Sequence, residues 1–153
     1  MKYSKKKFIY LISPSKINKS FISDLIKILK QNKVSLFQLR LKKISFQKKL
    51  IIGKKVKKIC KKFNVKFLVN DNVFLVKKLN ADGCHLGQKD MNIQEARKII
   101  GKQIIGVTCH NSLNLAKRAI KAKASYLAIG AFYSSKTKKT KHVANIKILN
   151  SIK

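Results

Sequence analysis

The stretch GCHLGQKDMNIQEARKIIGKQIIGV, Gly83–Val107, carries one complete structural unit. It opens on a short apolar run, Gly83–Leu86, and closes on another, Ile104–Val107. Runs this short, bounded by turn-forming residues, read as buried strands. Between them Ile93, Ala96 and Ile100 recur at helical spacing, and Asn92 stands where a helix N-cap belongs. A strand, a helix and a second strand joined in this way make a parallel crossover.

Working outward, the pattern repeats. The other apolar runs are Phe8–Ile12, Leu36–Leu41, Phe67–Val69 and Tyr126–Ile129. Phe21, Leu25, Ile28 and Leu29 follow a helical period, as do Ile52, Val56, Ile59 and Phe63. So do Leu113, Ala116 and Ile120 behind a cap at Asn111-Ser112, and a last helix is expected over Val143–Ile152. Six βα units in a row mean a parallel α/β domain, either a doubly wound sheet or a (β/α)8 barrel. Five units separate Phe8 from Tyr126, about 24 residues each, so eight would need about 190 residues where barrels rarely fall below about 200. The 153 residues therefore hold one domain, 1–153, as a compact open sheet or as a barrel that stops early.

Composition narrows the function classes. Apolar residues make up 45%, which rules out global disorder, and no run approaches the roughly 18 apolar residues of a membrane span. The lysine-rich start is followed by only a five-residue apolar run before Pro14, too short for a signal peptide. Three cysteines without a CxxC pair make neither a disulfide framework nor a zinc site, so a reducing cytoplasm is expected. The net charge is +32, from 37 basic and 5 acidic residues. Lysine supplies 34 of those positives and arginine three, while nucleic-acid readout favours the arginine fork. Isoleucine (20) and asparagine (11) are also frequent, and all three residue types share A/T-rich codons. The charge therefore reads first as compositional drift and implies only non-specific affinity for nucleic acid.

Ligands of parallel α/β folds bind at the carboxyl ends of the strands. The second run, Phe37-Gln38-Leu39-Arg40-Leu41-Lys42, alternates where a buried parallel strand would be apolar throughout. Gln38, Arg40 and Lys42 share one face, and inward cations call for an anion. A half-exposed edge strand would alternate in the same way. Of the five acids, Asp24 and Glu95 fall on helices and Asp82 precedes a strand, whereas Asp71 and Asp90 stand just past adjacent strands. Such a pair suits a Mg²⁺–diphosphate site, or else each carboxylate caps the next helix. His85 reads as a hydrogen-bonded structural histidine, and Cys60 and Cys84 as core fillers.

In this order, FQLRLK (Phe37–Lys42), FLVND (Phe67–Asp71), ADGCHLGQKDM (Ala81–Met91), IIGVTCH (Ile104–His110) and GAFYSSKTK (Gly130–Lys138) resemble the thiamine phosphate synthase family. The ADGxHLGQxD stretch is the most specific of them. The resemblance implies a (β/α)8 barrel, here incomplete with about six units and lacking the last two. It implies a Mg²⁺-dependent transferase of thiamine biosynthesis, joining hydroxymethylpyrimidine diphosphate to thiazole phosphate and releasing diphosphate. Gln38, Arg40, Lys42 and Asn70 would bind the pyrimidine substrate, and Asp71 and Asp90 the Mg²⁺. Thr108 would face the diphosphate, while Thr137 and Lys138 match the thiazole- and phosphate-binding loop. Arg40, Lys42 and Lys138 would stabilise the departing diphosphate.

The chain departs from the family at Asn72, where arginine is usual, and at Ala131, Ser134 and Ser135, which replace Pro, Pro and Thr. It also stops before the family's last two strands, from which impaired turnover is expected. Self-association is expected too, through unpaired edges at Phe8–Ile12 and Tyr126–Ile129. The partners implied are the two small-molecule substrates, with no membrane. Two other functions fit parts of the pattern. One is a thiazole tautomerase-like isomerase using His110, and the other a non-catalytic basic remnant of the barrel that binds anions or nucleic acid.

Overall fold

The structure is a computed structural model, described here for residues 8–133 and 143–152. Six strands form one sheet: β1 (Ile9–Ile12), β2 (Val34–Leu39), β3 (Lys66–Asn70), β4 (Gly83–Leu86), β5 (Ile104–His110) and β6 (Tyr126–Ile129). Every pairing is parallel and the strands lie side by side in chain order. A doubly wound sheet reverses direction at a switch point. Sequential order with no reversal is the arrangement of a barrel wall, which settles the architecture as an incomplete TIM-like α/β fold.

Five helices join successive strands: α1 (Phe21–Leu29), α2 (Phe46–Lys62), α3 (Val73–Leu79), α4 (Ile93–Ile100) and α5 (Leu113–Lys121). Each presents a buried stripe to the sheet, for example Phe21, Leu25 and Leu29 on α1 and Ile93, Ala96 and Ile100 on α4. The expected caps form, with Asn92 accepting from Glu95 N at 2.9 Å and Ser112 from Leu115 N at 3.3 Å. Ser45 and Asn72 cap α2 and α3 in the same way. The helix expected over Val143–Ile152 is confined to α6 (Ile148–Ser151). Its first residues are drawn into extended backbone instead, where Val143 bridges Ala131 and Ala144 N donates to Ala131 O at 2.8 Å. No helix among the described residues is long and apolar enough to cross a membrane.

The core lies between the sheet's outer face and the helices. Phe37, Leu39, Phe67 and Val69 are all buried there, together with Val56, Cys60 and Val76 from α2 and α3. Strand alternation then turns Gln38, Leu68 and Asn70 to the opposite, concave face. β2 lies between β1 and β3, so its alternation is not that of an edge strand. Parallel register carries the inward set across the sheet, with Asn70 opposite His85, His85 opposite Gly106 and Gly106 opposite Tyr126. The sheet curls enough for its outermost strands to meet through side chains. The Tyr10 and Tyr126 rings pack edge to face with centroids 5.6 Å apart.

Candidate active site

Gln38 sits near the end of β2, 2% exposed, and its Nε2 donates to the Tyr10 hydroxyl at 2.7 Å. A buried amide is tolerable because it is hydrogen-bonded. β2 ends at Leu39, so Arg40 and Lys42 leave from the turn beyond the strand rather than from the ladder. That turn is fixed by the first βα loop. Ser13 Oγ accepts from Arg40 N at 2.8 Å, and Ser15 O accepts from Lys42 N at 3.0 Å. Leu41 packs into the core, which leaves the two cations facing away from it, Arg40 half-buried and Lys42 exposed.

Asn70 ends β3 and Asp71 follows in the left-handed region at φ 63, its N–H donating to His85 O at 2.9 Å. Asp90 closes the turn after β4, its Oδ2 accepting from Gly87 N at 2.6 Å. Neither acid caps a helix, because Asn72 and Asn92 hold those positions. The two carboxyl groups come within hydrogen-bonding reach of each other. The Asp71 carboxyl is pushed above the ordinary carboxylate range by burial first, then by the Asp90 charge and hydrogen bond; Lys42 and Arg40 pull it back in part. Two carboxylates forced together beside cations suit a divalent cation with oxygen ligands. No third His, Cys, Asp or Glu joins them among the described residues. A cation held there would complete its shell with water or a ligand's oxygens, as Mg²⁺ habitually does.

Thr108 lies on β5, its Oγ1 2.8 Å from His85 Nε2, and its carbonyl accepts from Gln88 Nε2. His85 Nδ1 in turn lies 2.9 Å from the Tyr126 hydroxyl, which is 2.7 Å from that of Tyr10. Burial pushes both tyrosine hydroxyls up; contacts with the Tyr126 hydroxyl and the Gln38 amide offset this in part at Tyr10, whereas at Tyr126 the Tyr10 hydroxyl adds to it and the Gln38 amide offsets a little. His110 takes φ 51 at a register break in β5, and its carbonyl accepts from Gly130 N. Asp82 lies at the opposite end of the sheet, paired with Lys66 at 3.0 Å. Thr137 and Lys138 lie outside the described residues.

The structure thus brings Asp90, Lys42 and Arg40 within electrostatic reach of Asp71 at the strand ends. It links Gln38, His85 and Thr108 through two tyrosines that the periodicity alone had absorbed into apolar runs. Tyrosine is apolar in body and polar only at its tip, so it joins a hydrophobic run without breaking it. The signal that could have found Tyr10 is alternation within β1, which sets it on the face opposite Leu11. Ser13 was also missed, a buried hydroxyl immediately before Pro14 at a strand end.

Parallel strands in chain order, with their polar side chains gathered at the carboxyl ends, define an α/β protein of the barrel class. The profile of the thiamine monophosphate synthase family matches residues 9–153, and the chain belongs to that family. The thiamine-phosphate synthase of Pelagibacter ubique (strain HTCC1062) is 62% identical over 149 residues, 97% of this chain and 72% of that protein. That of Erythrobacter litoralis (strain HTCC2594) is 42% identical over 85% of this chain, which spans 62% of its length. Among solved structures, a thiamine phosphate pyrophosphorylase from Pyrococcus furiosus superposes with a TM-score of 0.83 at 27% identity, covering 95% of this chain and 68% of its own. The family's work is thiamine phosphate synthesis, a transferase reaction of thiamine biosynthesis.

Proposed function

We propose that this chain binds hydroxymethylpyrimidine diphosphate at the mouth of the sheet and joins it to thiazole phosphate, giving thiamine phosphate and diphosphate. The observation that carries the reading is the meeting of Asp71 and Asp90 beside Arg40 and Lys42. A bare anion site needs no acids, and a bare cation site needs no lysine and arginine. A diphosphate with its Mg²⁺ needs both.

Gln38, held by the Tyr10 hydroxyl, and Asn70 at the end of β3 orient the pyrimidine. Asp71 and Asp90 would hold the Mg²⁺, which would supply positive charge to the diphosphate. Arg40 and Lys42, with Lys138, stabilise the negative charge that builds as the bond from the pyrimidine methylene carbon to the diphosphate oxygen breaks. The electron pair of that bond leaves with the diphosphate. The thiazole nitrogen donates its lone pair to the same carbon, forming the new carbon–nitrogen bond. No protein nucleophile is needed, and positioning with charge complementarity carries the rate. This fits the thiols, all three of which are buried with their pKa values raised by burial, Cys60 and Cys84 to about 12.

The test is to incubate the purified chain with both substrates and MgCl₂ and measure thiamine phosphate by mass spectrometry. Product that requires Mg²⁺ and is lost in Asp90→Asn is the expected result. Product formed equally in excess EDTA would overturn the assignment of the two acids.

A further inference from the structure

The interior chain Gln38–Tyr10–Tyr126–His85–Thr108 joins five strands, β2, β1, β6, β4 and β5, through four hydrogen bonds. Its sense follows from counting protons. Gln38 presents its amide nitrogen, so Tyr10 must accept from it. A neutral imidazole carries one N–H, which leaves two arrangements. In the first, Tyr10 donates to Tyr126 and Tyr126 donates to His85 Nδ1. The ring then carries its proton on Nε2 and donates to Thr108 Oγ1, and every hydroxyl in the interior is satisfied. In the second, Thr108 donates to Nε2 and the ring donates from Nδ1 to Tyr126. One tyrosine O–H is then left over, and no further acceptor hydrogen-bonds either tyrosine hydroxyl among the described residues. A buried unsatisfied hydroxyl is costly, whereas the first arrangement leaves its spare proton on Thr108, half-buried near the carboxyl end of β5.

We propose that Tyr126 is a positioning residue: it holds His85 in the Nε2–H tautomer, and that tautomer commits the Thr108 hydroxyl to donate outward to an anionic oxygen of the ligand. The inference rests on the synthase reading only in taking that oxygen to belong to a diphosphate. Tyr126 is built into this place by Gly106. A Cβ on Gly106 would fall 1.8 Å from the Tyr126 ring, so the ring lies flat on the bare backbone of β5 and aims its hydroxyl at His85.

The tautomer is read by long-range ¹H–¹⁵N correlation on histidine-labelled protein, with His85 assigned by single-histidine substitution. The wild-type chain should show Nε2–H. Tyr126→Phe, which keeps the ring on Gly106, should shift the tautomer ratio by about tenfold or more toward Nδ1–H, one hydrogen bond's worth. Tyr10→Phe should leave the tautomer unchanged, because Tyr126 still donates to His85. With inorganic diphosphate and Mg²⁺ as the probe, Tyr126→Phe and Thr108→Val should each weaken binding by about tenfold to hundredfold. The double variant should be no weaker than Thr108→Val alone, a coupling that loss of packing would not produce. An Nδ1–H ring in the wild-type chain, or losses that add in the double variant, would overturn the proposal. No diphosphate binding by any form would sink the synthase reading, while the tautomer measurement still decides the sense of the chain.

Discussion

Replacing Asp71 by Asn removes one charge from the carboxylate pair with almost no change of shape. Asp71 sits at φ 63, a conformation that Asn adopts as readily, so the backbone is not strained by the exchange. In metal-free protein the Asp71 carboxyl is raised above its ordinary value, chiefly by burial and then by Asp90. An acid whose folded pKa is raised contributes its stability below the unfolded pKa and loses it as pH rises through the folded one. Asp71→Asn should therefore match the wild-type chain near pH 3 and exceed it at pH 8. The Asp71 residue is largely open to solvent and its carboxyl only partly covered, so solvent screening limits that gain to at most about 1 kcal/mol. Under the proposed metal assignment, magnesium should reverse the order. For a site with a dissociation constant of about 1 mM, about 10 mM Mg²⁺ adds about 1.4 kcal/mol, or about 3–6 °C in a domain of this size. Thermal unfolding at pH 8, in EDTA and then in MgCl₂, should show that rise in the wild-type chain and almost none in Asp71→Asn. An equal Mg²⁺ shift in both proteins, or a variant less stable than wild type in EDTA at pH 8, would refute the reasoning.

Arg40→Ala should weaken binding of diphosphate by about tenfold to hundredfold, the range for one charge-assisted hydrogen bond, while the urea midpoint barely moves; isothermal titration beside urea unfolding checks both halves. Gly106→Ala should cost about 1–3 kcal/mol as overpacking, since its Cβ would strike the Tyr126 ring at 1.8 Å, and Tyr126→Ala in the same chain should recover part of that loss. The Cys60 and Cys84 thiols are pushed up to about 12 by burial first, so the unfolded chain ionises them before the folded one does. Stability should thus fall as pH rises above about 9, by about 1.4 kcal/mol per thiol at pH 10, and Cys60→Ala should flatten that decline in urea titrations.

The fold was legible because short apolar runs and helical stripes alternate with a steady period, but periodicity alone could not choose between an open sheet and a barrel. That choice lies in strand order, a long-range property with no local trace; the resemblance anticipated it and the pairing supplied it. α3 escaped the helical count for a different reason. Val73, Leu75, Val76 and Leu79 are all buried, so its apolar residues crowd most of the helix and leave no narrow stripe to recognise. The tyrosine chain was illegible because its central contact joins residues 116 positions apart.

The carboxylate pair is the instructive case, because the sequence contained its resolution and the pattern of acids alone did not show it. With five acids against 37 bases, Asp71 and Asp90 were conspicuous, and capping of the following helices was the competing use for them. An α-helix has one N-cap, which satisfies the amides at the second or third helical position. Asn72 bonds Leu75 N and Asn92 bonds Glu95 N, so both caps are taken by residues one or two places after the acids. An asparagine cap is nearly as good as an aspartate one, so a chain poor in acids can cap helices with its abundant asparagines at little cost. The acids that remain at these strand ends are then freed from capping. With Asp90 crowding Asp71 beside Arg40 and Lys42, the pair raises the energy of the site on its own, and a cation carrying a polyanion, as proposed, would lower it.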